Sequence, residues 1–368
     1  MQLDYRTLGE PVTDAQVRQY AAKDIAWVNA PTMIIAGLLL WGFLTGPLII
    51  GTLTAGKGFT GTTMAVFLLL TAVAWGVVWA ATIGAKLQAR RTVRLKRFAE
   101  SNGAVLSQNV ISPNFVGMIF DNGHTRTLEE SLAFNSGIEL GNYYYVTGSG
   151  KNRTVHRYSF ARLSLNRNLP HMVLDAKSNN FFGSNLPDQF NGSQRMSLEG
   201  DFNKYFDVYA PNGYERDALY VFTPDVMQVL IDQGKDFDIE IVGNELFIFR
   251  SGKLELTSKG EIETMLKVVN AISTELKDQS KRYVDERSAP DGISQPSGSM
   301  PQVAVEGRRL KRNVPIVPLI LVGAVIVTIV LPSIVPSSIG DPFVIITWPI
   351  IIFGLVGYGV VNFVRTRK

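Results

Sequence analysis

Few residues in this chain have types and spacings that could do chemistry. There are three histidines, His124, His156 and His171, and no cysteine. None of the histidines has a helical i, i+4 partner or the HExxH spacing of a zinc protease, and isolated histidines lack the convergent ligands a metal site needs. Without cysteine there is no thiolate nucleophile, no disulfide framework and no Cys-based zinc or iron–sulfur site. His171, Asp175 and Lys177 fall together in LPHMVLDAK. On a strand all three project to one face, an arrangement suited to proton transfer. The outer face of an antiparallel strand produces the same pattern with no chemistry attached. Glu199, Asp201 and Asp207 in LEGDFNKYFDVY are carboxylates for a divalent cation, at a spacing that matches no calcium loop. Gly51, Gly56 and Lys57 open like a phosphate-binding loop, but Gly58 stands where Ser or Thr must reach magnesium. The reading is therefore no catalytic residue, no metal ligand and no cofactor.

One further loop, NNFFG, places Phe181 beside Phe182. Adjacent phenylalanines in a Gly/Asn-rich loop either fold into the core or offer an apolar contact to a partner.

The elements that must position these residues are organised around residues 86–97, KLQARRTVRLKR. Lys86, Arg90, Arg91, Arg94, Lys96 and Arg97 put six positive charges, and no acid, at the end of an apolar run. Such a block holds its end of a helix on the cytoplasmic side, because moving cations through hydrocarbon is costly. Arg308, Arg309, Lys311 and Arg312 form a second block, and Arg365, Arg367 and Lys368 a third. The chain has 36 Lys and Arg against 32 Asp and Glu. With so many cations gathered in these collars, the soluble remainder is acid-rich, which excludes a nucleic-acid surface there.

Four apolar runs lie beside the collars, near 30–53, 62–85, 314–335 and 343–364. Each has the roughly 20 residues that cross a bilayer as a helix. The basic blocks follow the second run, precede the third and follow the fourth, so all three face one side. The expected architecture is a membrane protein with four transmembrane α-helices, two N-terminal and two C-terminal, and an inserted soluble α+β domain. Residues 1–29 form a cytoplasmic or interfacial helix, and 30–85 a transmembrane hairpin. A cytoplasmic α+β domain follows at 86–285, then a flexible linker and basic collar at 286–312. A second transmembrane hairpin spans 313–364, and 365–368 is a basic cytoplasmic tail. Gly42 with Gly46, and Ala72, Gly76, Ala80 and Gly84, are stripes expected to let helices approach closely.

Within the domain, Gly141-Asn142 and Gly243-Asn244 sit between apolar runs and read as two-residue hairpin turns. Further strands are expected over 157–165, 171–174, 195–198 and 206–209. Thr223-Pro224 opens a helix that Gly234 stops. Ser258 with Glu261 opens a longer one, with Ile262, Met265, Leu266, Val269, Ile272 and Leu276 down one face. A mixed, mainly antiparallel sheet covered by helices is the simplest assembly.

The phrases LPHMVLDAKSNNFFGSNLPDQF, LEGDFNKYFDVYAPNGYERDALYVFTPDVMQVLI and IEIVGNELFIF, over about 155–250, resemble uncharacterised bacterial multi-pass membrane proteins of actinobacteria and Saccharibacteria. The resemblance implies an inner-membrane location and brings no activity or catalytic residue with it. The expected function is a membrane-anchored cytoplasmic binding or scaffold module. Its expected partners are anionic lipid headgroups at the collars and a protein partner or a second copy. The alternatives are a small transporter or channel subunit, and a membrane-bound enzyme.

Overall fold

The computed structural model describes residues 3–20, 30–56, 58–180, 184–287 and 303–312. The two expected C-terminal spans, residues 288–302 of the linker and the Phe181–Phe182 pair lie outside the described residues.

In chain order the elements are α1 (Arg6–Gly9), α2 (Asp14–Tyr20), α3 (Ala30–Thr54), α4 (Gly61–Ser101), β1 (Val105–Ile111), α5 (Met118–Asp121), β2 (His124–Ala133), β3 (Ile138–Thr147) and β4 (Thr154–Ala176). They continue as β5 (Arg195–Met196), α6 (Phe202–Tyr205), β6 (Phe206–Tyr209), α7 (Glu215–Val221), α8 (Pro224–Val229), β7 (Asp238–Ser251) and α9 (Lys259–Arg282). The strand order is β1-β2-β3-β4-β6-β5, with β7 paired to β4. The chain divides into two compact units. One holds Met1–Ile111, Thr127–Tyr143 and Lys253–Leu266; the other holds Ser112–Arg126, Tyr144–Gly252 and Lys267 onward.

In the first unit, α3 and α4 are long and apolar enough to cross a membrane. Their side chains meet along a seam of aromatic and hydroxyl groups. Trp41 Nε1 donates to Thr71 Oγ1 at 3.0 Å, and the Thr82 hydroxyl donates to the Met33 sulfur at 3.1 Å. The Trp75 ring lies so close over Gly37 that a Cβ there would be 2.8 Å from it. The expected small-residue stripes are not this seam: a Cβ at Gly42, Gly46, Gly76 or Gly84 would find nothing within 4 Å. A hydrogen bond between helices and a ring filling a glycine notch outweigh bare close approach here.

α4 does not stop where its apolar half ends. It runs unbroken for 41 residues, and beyond the apolar half it buries Ala89, Val93, Leu95, Phe98 and Ala99. α2, expected at the membrane surface or in solvent, is seated on that lower half, with Val17 packed on Ala89 and Val93. Its first turn is a reciprocal capping box: Thr13 N–H donates to Gln16 Oε1 at 3.0 Å and Gln16 N–H to Thr13 Oγ1 at 3.3 Å.

Neither Gly-Asn pair is a hairpin turn. Both lie inside continuous strands, β3 and β7. A two-residue turn of type I′ needs positive φ at both central positions. Among non-glycine residues with positive φ are Asn109, Ser112 and Thr125, not Asn142 or Asn244. Asn142 is instead a buried crosspiece, donating from Nδ2 to Leu254 O and accepting the Leu254 N–H at Oδ1. Gly243, at φ +60°, marks an irregularity where the β4–β7 register shifts. β4 absorbs the rest of that shift around Pro170, so two expected strands become one.

The helices follow their caps. Thr223 Oγ1 accepts the Val226 N–H at the start of α8, which passes into a π-helical turn, Leu230–Gly234. α9 buries Ile262, Met265, Leu266, Val269, Ile272 and Leu276, the face its spacing assigns. The core of the second unit includes Phe120 packed against Phe160 and Phe247 at ring separations of 5.4 and 5.2 Å.

Candidate functional site

The first basic collar lies on α4 in the first unit, and four of its six cations have partners in the protein. Arg91 forks onto Glu130 at 2.5 and 2.6 Å and reaches Glu255 at 3.0 Å. Glu130 also accepts from Asn142 Nδ2 at 3.0 Å, which ties the arginine to the buried crosspiece. Arg97 pairs with Glu10, Arg90 with Asp14, and Lys96 donates to the Tyr20 carbonyl. A two-pronged guanidinium–carboxylate contact is strong and directional, so Arg91 holds β2 to the helix as well as carrying charge.

The second unit holds a denser polar arrangement. Across β7, β4 and β6, Glu240, Val173 and Tyr209 lie in one row of directly paired residues, and Asp175 pairs with Asp207 in the next. Opposite residues in an antiparallel pair project to the same face, and residues two apart along a strand share it. One face therefore displays Glu240, Asp238, Asp175, Asp207 and Tyr209. His171 joins them, because its Nε2 lies 2.8 Å from Glu240 Oε1. The other Glu240 oxygen accepts the Met118 N–H at 2.7 Å. Gly117 permits that approach: it has φ +129°, and a Cβ there would lie 3.0 Å from Glu240 Oε2. His171 is 3% exposed and Glu240 0%. Buried ionisable groups survive when each is hydrogen-bonded, as both are here.

Further along this face burial raises the carboxylic acids. Asp238 is pushed up to about 7 by desolvation, against hydrogen bonds from the Ala176 N–H and Asn179. Asp175 is raised for the same reason, although Ser184 and Asn180 favour its charged form.

What covers His171 is the second collar. Residues 303–312 form a strap whose backbone is read by side chains. Leu310 N–H donates to His171 Nδ1 at 2.9 Å, Lys311 N–H to Gln194 Oε1 at 2.8 Å, and Gln194 Nε2 back to Lys311 O at 2.9 Å. At the other end Ala304 N–H donates to Asp285 Oδ2, which also accepts the Tyr214 hydroxyl. Phe190 bridges Arg312 in antiparallel fashion. Two apolar side chains, Val303 and Leu310, are buried, each worth roughly 1.5–3 kcal/mol when fully covered. Between them Gly307 lies against the Tyr214 ring, where any Cβ would collide. The charges are matched too. Arg312 Nε is 2.9 Å from Asp188, and Arg309 and Arg312 reach Asp121 at 3.2 and 3.4 Å.

The other sequence candidates separate. His171 and Asp175 share the face but bond to different partners, and Lys177 lies beyond the strand, paired with Asp207 at 2.9 Å. Asp201 pairs with Lys204 at the surface, and Asp207 also with Arg195. His124 bonds to Thr125 and the Gly148 carbonyl, and His156 to Thr147 while stacking on Tyr145. Among the described residues no group of three or more His, Cys, Asp or Glu could hold a metal. Sequence reasoning missed Glu240 and Asp188. In DIEIV the alternation of acids with isoleucines reads as a strand with a solvated polar side, whereas among the described residues the strap, Asn179 and Asn180 bond to groups on that face.

No family model and no curated protein matches the chain. Among solved structures, the crystal structure of the mycobacterial trehalose monomycolate transport factor A, TtfA, aligns with 10% identity and a TM-score of 0.32, over 50% of this chain and 92% of that one. A TM-score at that level carries no argument about what this chain does.

Proposed function

We propose that the chain is a membrane-anchored cytoplasmic binding module, held in a bacterial inner membrane by four spans with both termini inside, that engages a protein partner or a second copy of itself. The observation that supports it best is α4, one helix whose upper half is apolar and exposed and whose lower half is built into a folded unit. A helix made this way fixes a soluble body to a bilayer without a flexible joint. Collar cations that face away from the protein meet anionic headgroups. The second unit contributes a groove already shaped to hold a polypeptide segment by its backbone. While that groove is filled, both ring nitrogens of His171 are engaged, which leaves it no role as a proton shuttle.

Purification of the full chain in mild detergent tests the reading. A stoichiometric partner or a defined oligomer is expected, and recovery of monomer alone across conditions overturns it. A small transporter or channel subunit is disfavoured because α3 and the apolar part of α4 have almost no ionisable residues. A membrane-bound enzyme would draw on Asp238 and Asp175, and full biological activity in Asp238→Asn would dispose of it.

A further inference from the structure

The strap is attached to the second unit as a ligand is, rather than as a core element. It lies extended apart from one short turn, Val305–Gly307. Its chain is gripped mainly through backbone N–H and C=O groups and through ion pairs at Arg309 and Arg312. Only Val303, Gly307 and Leu310 are buried. The residues joining it to α9, at 288–302, are rich in Pro, Ser and Gly in sequence. Backbone recognition with a pocket for an occasional apolar side chain is how sheet-edge and groove receptors hold extended peptides.

One contact decides when such a ligand can be held. Leu310 N–H is a donor, so His171 Nδ1 must accept and carry no proton. The ring proton is then on Nε2, facing the Glu240 carboxylate. Adding a second proton would set N–H against N–H and remove the acceptor. We propose that the groove is a docking site for a short basic extended peptide, that residues 303–312 are its exchangeable intramolecular occupant, and that docking requires His171 to be uncharged.

The groups around this contact act in the same direction. On β7 Glu240 faces the ring, on β6 Tyr209 shares the face, and on β4 Asp175 lies two rungs along. From the loop comes Asp188, from α5 Asp121, and from the strap itself Arg309, Lys311 and Arg312. Burial raises Asp188 from its ordinary value, so it gives up its charge more readily as pH falls, and Arg312 then keeps only its longer contact with Asp121. Protonating either His171 or Asp188 frees the strap. Histidine ordinarily titrates between about pH 5 and 8, within reach of a cell.

The proposal deepens the binding-module reading and rests on it, but its test uses the purified chain alone, so the two fail separately. The probe is a fluorescent peptide of residues 303–312, titrated into the full chain in detergent. The wild-type chain is compared with one whose own strap is disabled by Leu310→Asp and Arg312→Glu. The disabled chain should bind the peptide at least about tenfold tighter than wild type at about pH 7.5, and lose most of that affinity at about pH 5.5. Equal binding by both chains, no binding by the disabled chain, or affinity unchanged between the two pH values overturns it. Hydrogen exchange on the wild-type chain checks the same point without mutation. After correction for intrinsic rates, the Leu310 and Lys311 amides should lose protection on acidification while β4 and β7 keep theirs. Protection of the strap equal to that of the strands at both pH values makes it a fixed part of the core and sinks the proposal.

Discussion

Two clusters of arginine and lysine with nearly the same composition are used in opposite ways. The first is carried on a continuous helix, and its key arginine meets Glu130 and Glu255 in a fixed fork backed by Asn142. Glu255 is held below the usual carboxylate range: burial works against this, but hydrogen bonds from Thr257 and Arg91 prevail. The second cluster is carried on an extended segment, and its partner Asp188 is raised by burial. The Glu255 contact with Arg91 is therefore the harder of the two to protonate, and the Asp188 contact with Arg312 the easier. A run of basic residues beside an apolar stretch predicts where charge accumulates. Whether the charge anchors or releases depends on the acids that receive it.

The comparison can be broken at several points. Labelling gives the largest effect, because it is all or none. A cysteine at Gly58 should react with an impermeant reagent added to intact cells, and one at Ser178 should not. Reaction at Ser178 would put the domain, and the second collar with it, on the wrong side. Next comes Arg91→Ala, which strands the nearly buried Glu130 and should cost about 3 kcal/mol in a urea melt of the detergent-solubilised chain. A loss under 1 kcal/mol would put Arg91 on a par with the strap cations.

Asp238 tests the acid-sensitive side. Its folded pKa, about 7, lies above its ordinary value, so between roughly pH 4 and 7 the folded chain holds the extra proton. Stability should then fall as pH rises through that window, by an amount of the order of 3 kcal/mol, and level off above it. Asp238→Asn should flatten the slope, measured as melting temperature against pH. Asn142→Ala removes a buried amide that bonds Glu130 and both backbone groups of Leu254, and should cost about 2 kcal/mol. Smallest is Arg312→Ala. Its side chain is 44% exposed, solvent screens the pair, and global stability should change by less than about 1 kcal/mol while the strap amides lose protection.

The parts legible in sequence were those governed by local rules. The cap of α8 and the apolar face of α9 depend on residues three or four apart, and both formed where spacing put them. The first two apolar runs appear as α3 and the upper half of α4 for the same reason. The Gly-Asn pairs misled because turn propensity is a preference of the isolated tetrapeptide, and Asn142 found better partners 112 residues away. The small-residue stripes do not form the α3–α4 seam, because composition alone cannot say which face of a helix a given neighbour occupies. The groove was illegible because its members, near 120, 171, 188, 240 and 310, meet only after the sheet has formed and the strap has crossed it.

α4 has a mechanical consequence. At 1.5 Å per residue its 41 residues measure about 60 Å, and no proline interrupts them. A tilt or rotation of the apolar, exposed half is delivered to Arg91 and Phe98 as the motion of a lever, not dissipated in a hinge. Changes in what surrounds that half therefore register as displacement of the folded unit that the other half is built into.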